Sequence, residues 1–375
     1  MSFSKSTQNR AKNNELEKSV TLSVVMPFYN TKREDLKMAI DSVLSQIYKD
    51  FELIIVNDGS CDDVGNFCER LINDLPFAKV VHIPNSGPST ARNIGLSYAK
   101  GKYVYFMDSD DVVEPHAFEL VVAEMDKGFD MVSFNYVREN AKGQVLRQST
   151  CSDQIIHFSN LDDKFNFLLS KFLNYEFGWE GWNRFYRKDI IDRYHISYVV
   201  NSRIGEDMCF CLCYLMHVQS YRILDKVLYH YIKREETLSA KAKKANNFPV
   251  FESMFLYVDA FVKNSLPSME IKRYIPACIL VIFIAMEISS LRVEGYSDKE
   301  IGSIAHKSLK SESIQLIDDF IKSKEINRVL GRGMSLKLKY DMSLILYHES
   351  YVKVLPHYIL YQAYFFSRKY YYLLK

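Results

Sequence analysis

Up to Asp111 the chain alternates apolar, β-branched runs with segments of helical spacing, and this alternation limits the possible folds more than any other feature. Thr21–Met26 reads as a strand entering the turn Pro27-Phe28-Tyr29-Asn30, after which Ala39, Ile40, Val43 and Leu44 fall at helical spacing. Phe51–Val56 is a second strand ending at Asn57-Asp58-Gly59-Ser60, with a helix from about Asp62 to Leu75. Lys79–Ile83, then Ser89–Ala99, then Tyr103–Met107 continue as strand, helix and strand. Repeated strand–helix units with apolar strands predict an α/β fold, a mostly parallel sheet covered by helices on both faces. Such sheets bind ligands beyond the carboxyl ends of their strands, which places Tyr29, Asp58 and Asp108 along one edge.

The fourth strand empties without Gly or Pro into Asp108-Ser109-Asp110-Asp111, three carboxylates in four residues. Crowded carboxylates raise each other's pKa unless a cation neutralises them, and oxygen ligands on a tight turn suit Mg²⁺ or Mn²⁺. Alternation lets Asp108 and Asp110 face one side and Ser109 the other. The same acids could instead serve the helix that begins near Pro115, since Asp is common in turns and caps. No Gly-rich turn follows the first strand and no Walker-type loop is found, which argues against dinucleotide and P-loop chemistry. Asp58 offers acceptor oxygens for the imide N–H of uracil or a ribose hydroxyl, and Tyr29 offers a ring face for a base. Asn85–Gly95 joins a Gly/Pro loop to a helix start, an anion-attracting arrangement. Arg92 and Asn93 could equally lock that loop to the sheet.

These stretches, in this order, resemble the family 2 glycosyltransferases of the GT-A fold over roughly residues 20 to 240. The residues that carry the likeness are Pro27-Phe28-Tyr29-Asn30, Val56–Ser60, Gly87 through Ala91-Arg92-Asn93 to Gly95, and Asp108–Asp111. The resemblance implies a nucleotide-sugar donor, a UDP-sugar by preference, a divalent metal and inversion at the anomeric carbon. By position it implies that Pro27, Tyr29 and Asp58 hold the nucleoside and that Arg92 approaches the nucleotide. Asp108, with Ser109, would hold the ribose or sugar, and Asp110 the metal. Phe28 stands where a small aliphatic residue is commoner in the family, with its side chain on the other face of the strand.

The second half should supply an acceptor site and a base. Phe129–Val137 reads as a strand, 139–154 as a polar hairpin or loop, and Leu161–Phe172 as helix. Trp179 and Trp182, the chain's two tryptophans, precede Asn183, and the segment resembles the one that lines the acceptor side in the family. An aromatic face suits the C–H face of a sugar, but these residues could also be core anchors. Gly205-Glu206-Asp207 opens a helix with acids in its first turn, as the macrodipole favours. The resemblance assigns Asp207 the base that takes the acceptor hydroxyl's proton, with Glu206 as second choice or structural partner. Cys211 lies two residues from both Cys209 and Cys213, a spacing that does not share a helix face, and zinc ligands must converge, so Cys209, Cys211, Cys213 and His217 read as buried residues, not a zinc site. His230 reads as a packed strand residue before a metal ligand. Lys233 and Arg234 follow a strand and, by the resemblance, could close over the diphosphate.

Net charge of +2 excludes a strongly basic nucleic-acid binder. Seven cysteines and a polar first 20 residues predict a flexible arm, a reducing compartment and a cytoplasmic protein. Residues 21–240 are expected to form the catalytic domain and 241–375 a helical extension. The apolar run Ala277–Ala285 is too short to span a bilayer and is expected to pack inside that extension. Residues 326–375 hold eight Lys/Arg, two acids and nine Tyr, suited to an anionic membrane surface on the inner face of the cell membrane or to a protein partner. The overall expectation is a transferase acting on a glycan or lipid-linked glycan acceptor in capsule, O-antigen or exopolysaccharide synthesis. A nucleotidyltransferase and a non-catalytic glycan-binding scaffold are the alternatives.

Overall fold

The computed structural model describes residues 20–172, 176–202, 204–234, 246–265, 274–322 and 337–347, with Val354 and His357. The polar arm and most of the basic, Tyr-rich tail lie outside these residues, as does the segment that follows Arg234. The four strands expected from the alternation form β1 (Leu22–Phe28), β2 (Phe51–Asp58), β3 (Ala78–Ile83) and β4 (Tyr103–Phe106). They lie parallel in the order β3-β2-β1-β4, with Phe28 opposite Asn57 and Val25 opposite Phe106. Their carboxyl ends therefore share one edge.

Beyond β4 the sheet turns mixed and reaches ten strands. β5 (Val112–Val113), β6 (Met131–Asn140), β7 (Val145–Gln148) and β8 (Gln154–His157) precede β9 (Arg184–Arg187) and the long β10 (Ser220–Lys233). β9 inserts antiparallel between β4 and β6, and β6 runs parallel to β10. The polar stretch expected at 139–154 is a hairpin, with β7 paired to β6, followed by β8 on the first part of β10.

Alternate residues of β1 serve two cores, as a strand covered on both faces must. Leu22, Val24, Met26 and Phe28 face α1 (Arg33–Leu44), α2 (Asp62–Ile72) and α4 (Ala117–Met125). Val25, with Ile54, Val56, Val104 and Phe106, faces α3 (Pro88–Tyr98), α6 (Lys188–Arg193) and α7 (Glu206–Leu215). The same core takes α5 (Leu161–Phe167), which widens into a π-helical turn over Leu168–Phe172.

The helical extension shares that second core. Its helices α8 (Phe248–Ser265), α9 (Tyr274–Val293), α10 (Asp298–Ser308) and α11 (Ser311–Lys322) belong to one continuous apolar cluster with α7. Tyr257 of α8 accepts from the Ser197 N–H at 3.2 Å and donates to its carbonyl at 2.7 Å. The apolar run of α9 extends further than the expected nine residues. Ile275–Val293 is long and apolar enough to cross a membrane, with mean hydropathy 1.9, yet 72% of its most apolar window is buried. Its Glu287 accepts from both the backbone and side-chain amides of Asn247 at 3.0 Å, a buried polar knot between α8 and α9.

Candidate active site

At the carboxyl edge, Pro27 lies buried within β1, and Tyr29, just beyond it, is 44% exposed with its ring available as a platform. Asn30 adopts φ 47°, and its backbone N–H and side chain bond Ser60 Oγ at 2.9 Å and the Cys61 N–H at 3.0 Å, clasping the loops after β1 and β2. Asp58 is buried, and its two oxygens accept the N–H groups of Ser86 at 2.7 Å and Gly87 at 2.9 Å. The loop leading to α3 is thus hung from β2 by one carboxylate.

The acidic turn splits into two environments. Asp108 and Asp110 keep partly exposed side chains, each paired with an arginine, whereas Ser109 is buried with its hydroxyl 2.8 Å from Thr31 Oγ1, and so braces the β1 loop instead of reaching a donor. Asp111 is enclosed and accepts from Tyr229 Oη and the Ile232 N–H, both at 2.8 Å, which staples the turn to the end of β10. Burial pushes its carboxyl well above the ordinary range. Burial and the neighbouring Asp108 raise Asp110 to about 6, against the pull of Arg234. Arg234, just past β10, sits 3.2 Å from Asp110 and 2.8 Å from Asp35 of α1. Lys233 ends β10 with its side chain exposed.

A second acidic pair meets the first through Arg92. This buried guanidinium on α3 lies 3.0 Å from Asp108, 3.2 Å from Glu206 and 3.8 Å from Asp207. It is held by carboxylates on three sides instead of projecting toward a nucleotide, so one cation links the end of β4 to the start of α7. Asn93 beside it donates to the Tyr198 carbonyl at 2.9 Å and accepts its N–H at 2.8 Å. α7 begins at Gly205, whose φ of 78° and close approach to Phe283 and Met254 leave no place for a side chain. Burial, then Asp207, raises Glu206 to about 7 against Arg92, and burial also raises Asp207. Asp207 accepts the Gly181 N–H at 3.1 Å.

The expected acceptor residues are mostly structural. Trp182 is buried, stacked on Tyr229 with centroids 4.4 Å apart and edge-on to Tyr136, so it is a core anchor and not a sugar platform. Asn183 is also buried and donates to the Phe134 carbonyl at 3.2 Å, closing β9 onto β6. Trp179 is half-buried, its indole N–H donating to the Phe172 carbonyl at 2.6 Å and its ring 6.3 Å from Phe283. Sequence reasoning missed Arg184, a wholly buried cation that donates to the carbonyls of Phe177 at 2.7 Å, Gly178 at 2.8 Å and Glu180. It moulds the loop that carries Trp179 and Gly181. Asp35 was missed as well, its helical position giving no sign of Arg234.

The cysteines of α7, His217 and His230 are packed or paired individually. Cys209, Cys211 and Cys213 are enclosed free thiols, all raised by burial, and His217, lowered to about 4 by burial, stacks on Tyr194. His230 directs its two ring nitrogens to Glu114 at 2.7 Å and Glu139 at 3.2 Å, in diverging directions. Among the described residues no group of three or more His, Cys, Asp or Glu converges as a metal cage. Asp110, a hard-oxygen ligand with a raised proton affinity, nevertheless fits Mg²⁺ or Mn²⁺, because these ions are commonly held by one or two carboxylates with substrate phosphates completing the shell.

The sheet is mixed instead of mostly parallel, because only β1–β4 and the β6–β10 pair run parallel. With its carboxylate-lined edge, helices on both faces and helical extension it has the GT-A architecture. Residues 23–194 match the family model "Glycosyl transferase family 2", so this part of the chain is similar to the family 2 glycosyltransferases. The chain is 26% identical over 230 residues to the "Uncharacterized glycosyltransferase EpsJ" of Bacillus subtilis, covering 58% of this chain and 62% of that protein. It is 30% identical over 245 residues to the "Minor teichoic acid biosynthesis protein GgaB" of B. subtilis, covering 62% of this chain and 25% of that one. The chain thus spans less than two-thirds of these relatives. In fold it is similar to S. aureus TarS 1-349 crystallised with UDP-GlcNAc, with TM-score 0.62, 21% identity, and 89% and 92% of the two chains covered.

Proposed function

We propose that the chain is an inverting, metal-dependent glycosyltransferase that moves a hexose or N-acetylhexosamine from a UDP-sugar to a hydroxyl of a glycan acceptor. The observation that carries this reading is the Arg92 bridge, which sets the Asp108–Asp110 turn beside Glu206 and Asp207 in one cleft. Donor and base groups must lie this close for one anomeric carbon to meet both. The TarS complex supports a UDP-linked donor, and the name of GgaB supports a role in surface polysaccharide synthesis.

In this reading Tyr29 and the loops clasped by Asn30 and Asp58 seat the nucleoside, while Asp108 holds ribose or sugar. The acceptor hydroxyl attacks the anomeric carbon from the face opposite the leaving diphosphate. Asp207 takes the hydroxyl proton as the new C–O bond forms, since an alcohol cannot lose it unaided near neutral pH. A divalent ion held by Asp110 would offset charge on the leaving diphosphate. Arg234, already at Asp110, is placed to follow the diphosphate and stabilise it. The acceptor glycan would be lipid-linked at the cytoplasmic face of the membrane.

Released UDP across a UDP-sugar panel, with Mn²⁺ or EDTA, tests the reading, and NMR of the product gives its anomeric configuration. Turnover of one donor with Mn²⁺ and an inverted product is expected. Absence of UDP release from every donor, or nucleotidyl transfer to a sugar phosphate, would overturn it.

A further inference from the structure

Two oxygens in the site, one an acceptor and one a donor, are buried with no hydrogen-bond partner: Asp207 Oδ1 and Tyr198 Oη. Such atoms are rare in folded proteins and mark either a bridging water or a function. They face the same gap. A Cβ on Gly181 would stand 2.9 Å from Tyr198 Oη and 3.2 Å from Asp207 Oδ1, so the missing side chain leaves room for both oxygens. The other oxygen, Asp207 Oδ2, accepts the Gly181 N–H at 3.1 Å.

Tyr198 has little freedom to point elsewhere. Both backbone groups are taken by Asn93, its ring stacks on Phe210 at 4.3 Å and meets Phe106 edge-on at 5.1 Å, and the Arg92 guanidinium lies 5.2 Å above it. Phe106 is the last residue of β4 before Met107 and the acidic turn, so the packing that carries the donor carboxylates also aims the hydroxyl.

We propose that Tyr198 is a positioning residue for Asp207, donating its hydroxyl to Oδ1 through one water in the gap they share and so leaving Oδ2 to receive the acceptor's proton. The inference rests on the reading of Asp207 as base, and it adds Tyr198 and Gly181 to the residues that set how that base works. Asp207 is faced by Arg92 from α3, Asp108 beyond β4, Glu206 at its own helix start and Glu180 in the loop before β9. Tyr198 and the Gly181 N–H are the neutral donors beside it, the first toward Oδ1 and the second on Oδ2.

The test follows the Asp207 carboxyl by ¹³C NMR in the full chain labelled at aspartate, with Asp207→Asn identifying the resonance. Tyr198→Phe keeps the ring and its stacking, so a purely structural role predicts an unchanged titration. Loss of a positioning donor predicts on the order of tenfold tighter proton binding by Asp207, a midpoint about one pH unit higher. Gly181→Ala, which crowds both oxygens, should move the midpoint in the same direction. Superimposable curves for wild type and both variants would overturn the inference. UDP release from UDP-GlcNAc by Asp207→Asn separates the two readings: wild-type turnover there removes the base assignment, whatever the titration shows.

Discussion

Arg234 lies 3.2 Å from Asp110, and its second partner, Asp35 at 2.8 Å, ties that contact to α1. A cationic side chain therefore balances the carboxylate assigned to the metal, and any divalent ion must compete with it.

Arg234→Gln should consequently tighten Mn²⁺ binding in the absence of nucleotide, because Asp110 loses its internal counter-charge. The same variant should slow turnover 10- to 100-fold, on the order of 1.4–3 kcal/mol of lost charge stabilisation. Calorimetry with Mn²⁺ alone and a released-UDP assay give the two numbers. Weaker Mn²⁺ binding would remove the competition.

Asp207→Asn should cut turnover by about 10² or more, the usual loss when a general base is removed, while UDP affinity stays within twofold. Steady-state rates with calorimetric UDP binding separate the two effects. Wild-type turnover in the variant would move the base elsewhere.

Glu206 sets a pH dependence of stability. Its folded value of about 7 stands above the ordinary 4.5, so the folded state binds the proton more tightly. The stabilisation this gives is complete below pH 4.5 and is lost as pH rises through about 7. Glu206→Gln should abolish that loss, so wild type minus variant should fall by on the order of 3 kcal/mol between pH 4.5 and 8. Urea unfolding at both pH values measures it, and a parallel pair of profiles would contradict it.

Trp182→Ala should destabilise the chain by ~3–5 kcal/mol, the range for emptying a buried aromatic site, and Trp179→Ala by less. Urea midpoints of the two variants decide the order. Equal or reversed losses would make Trp182 something other than the anchor described above.

The parallel half of the fold was legible because β1, β2 and β4 are buried on both faces and read as largely apolar runs. The helices of the extension were legible for a similar reason, their apolar residues recurring at helical spacing. β9 escaped notice because Arg184-Phe185-Tyr186-Arg187 is four residues bounded by charges, with no alternation long enough to see. Pattern also could not tell that Trp182 points into the core, since it sits in the turn before β9, where no periodicity assigns a side chain to a face. The order of Asp58, Arg92, Asp108 and Asp207 along the chain revealed the site's members. Their pairings were hidden, because Arg92 reaches residues 16 and 114 positions away and only folding brings those together.

In the proposed reaction the acidic end of β4 would seat a nucleotide diphosphate with its cation. Calorimetric titration of UDP in Mn²⁺ onto wild type and Asp110→Asn tests it most directly. Binding by the wild type that disappears in EDTA and weakens at least tenfold in the variant, about 1.4 kcal/mol, is the predicted result. UDP binding of equal strength in all three cases, or none in any, would contradict it.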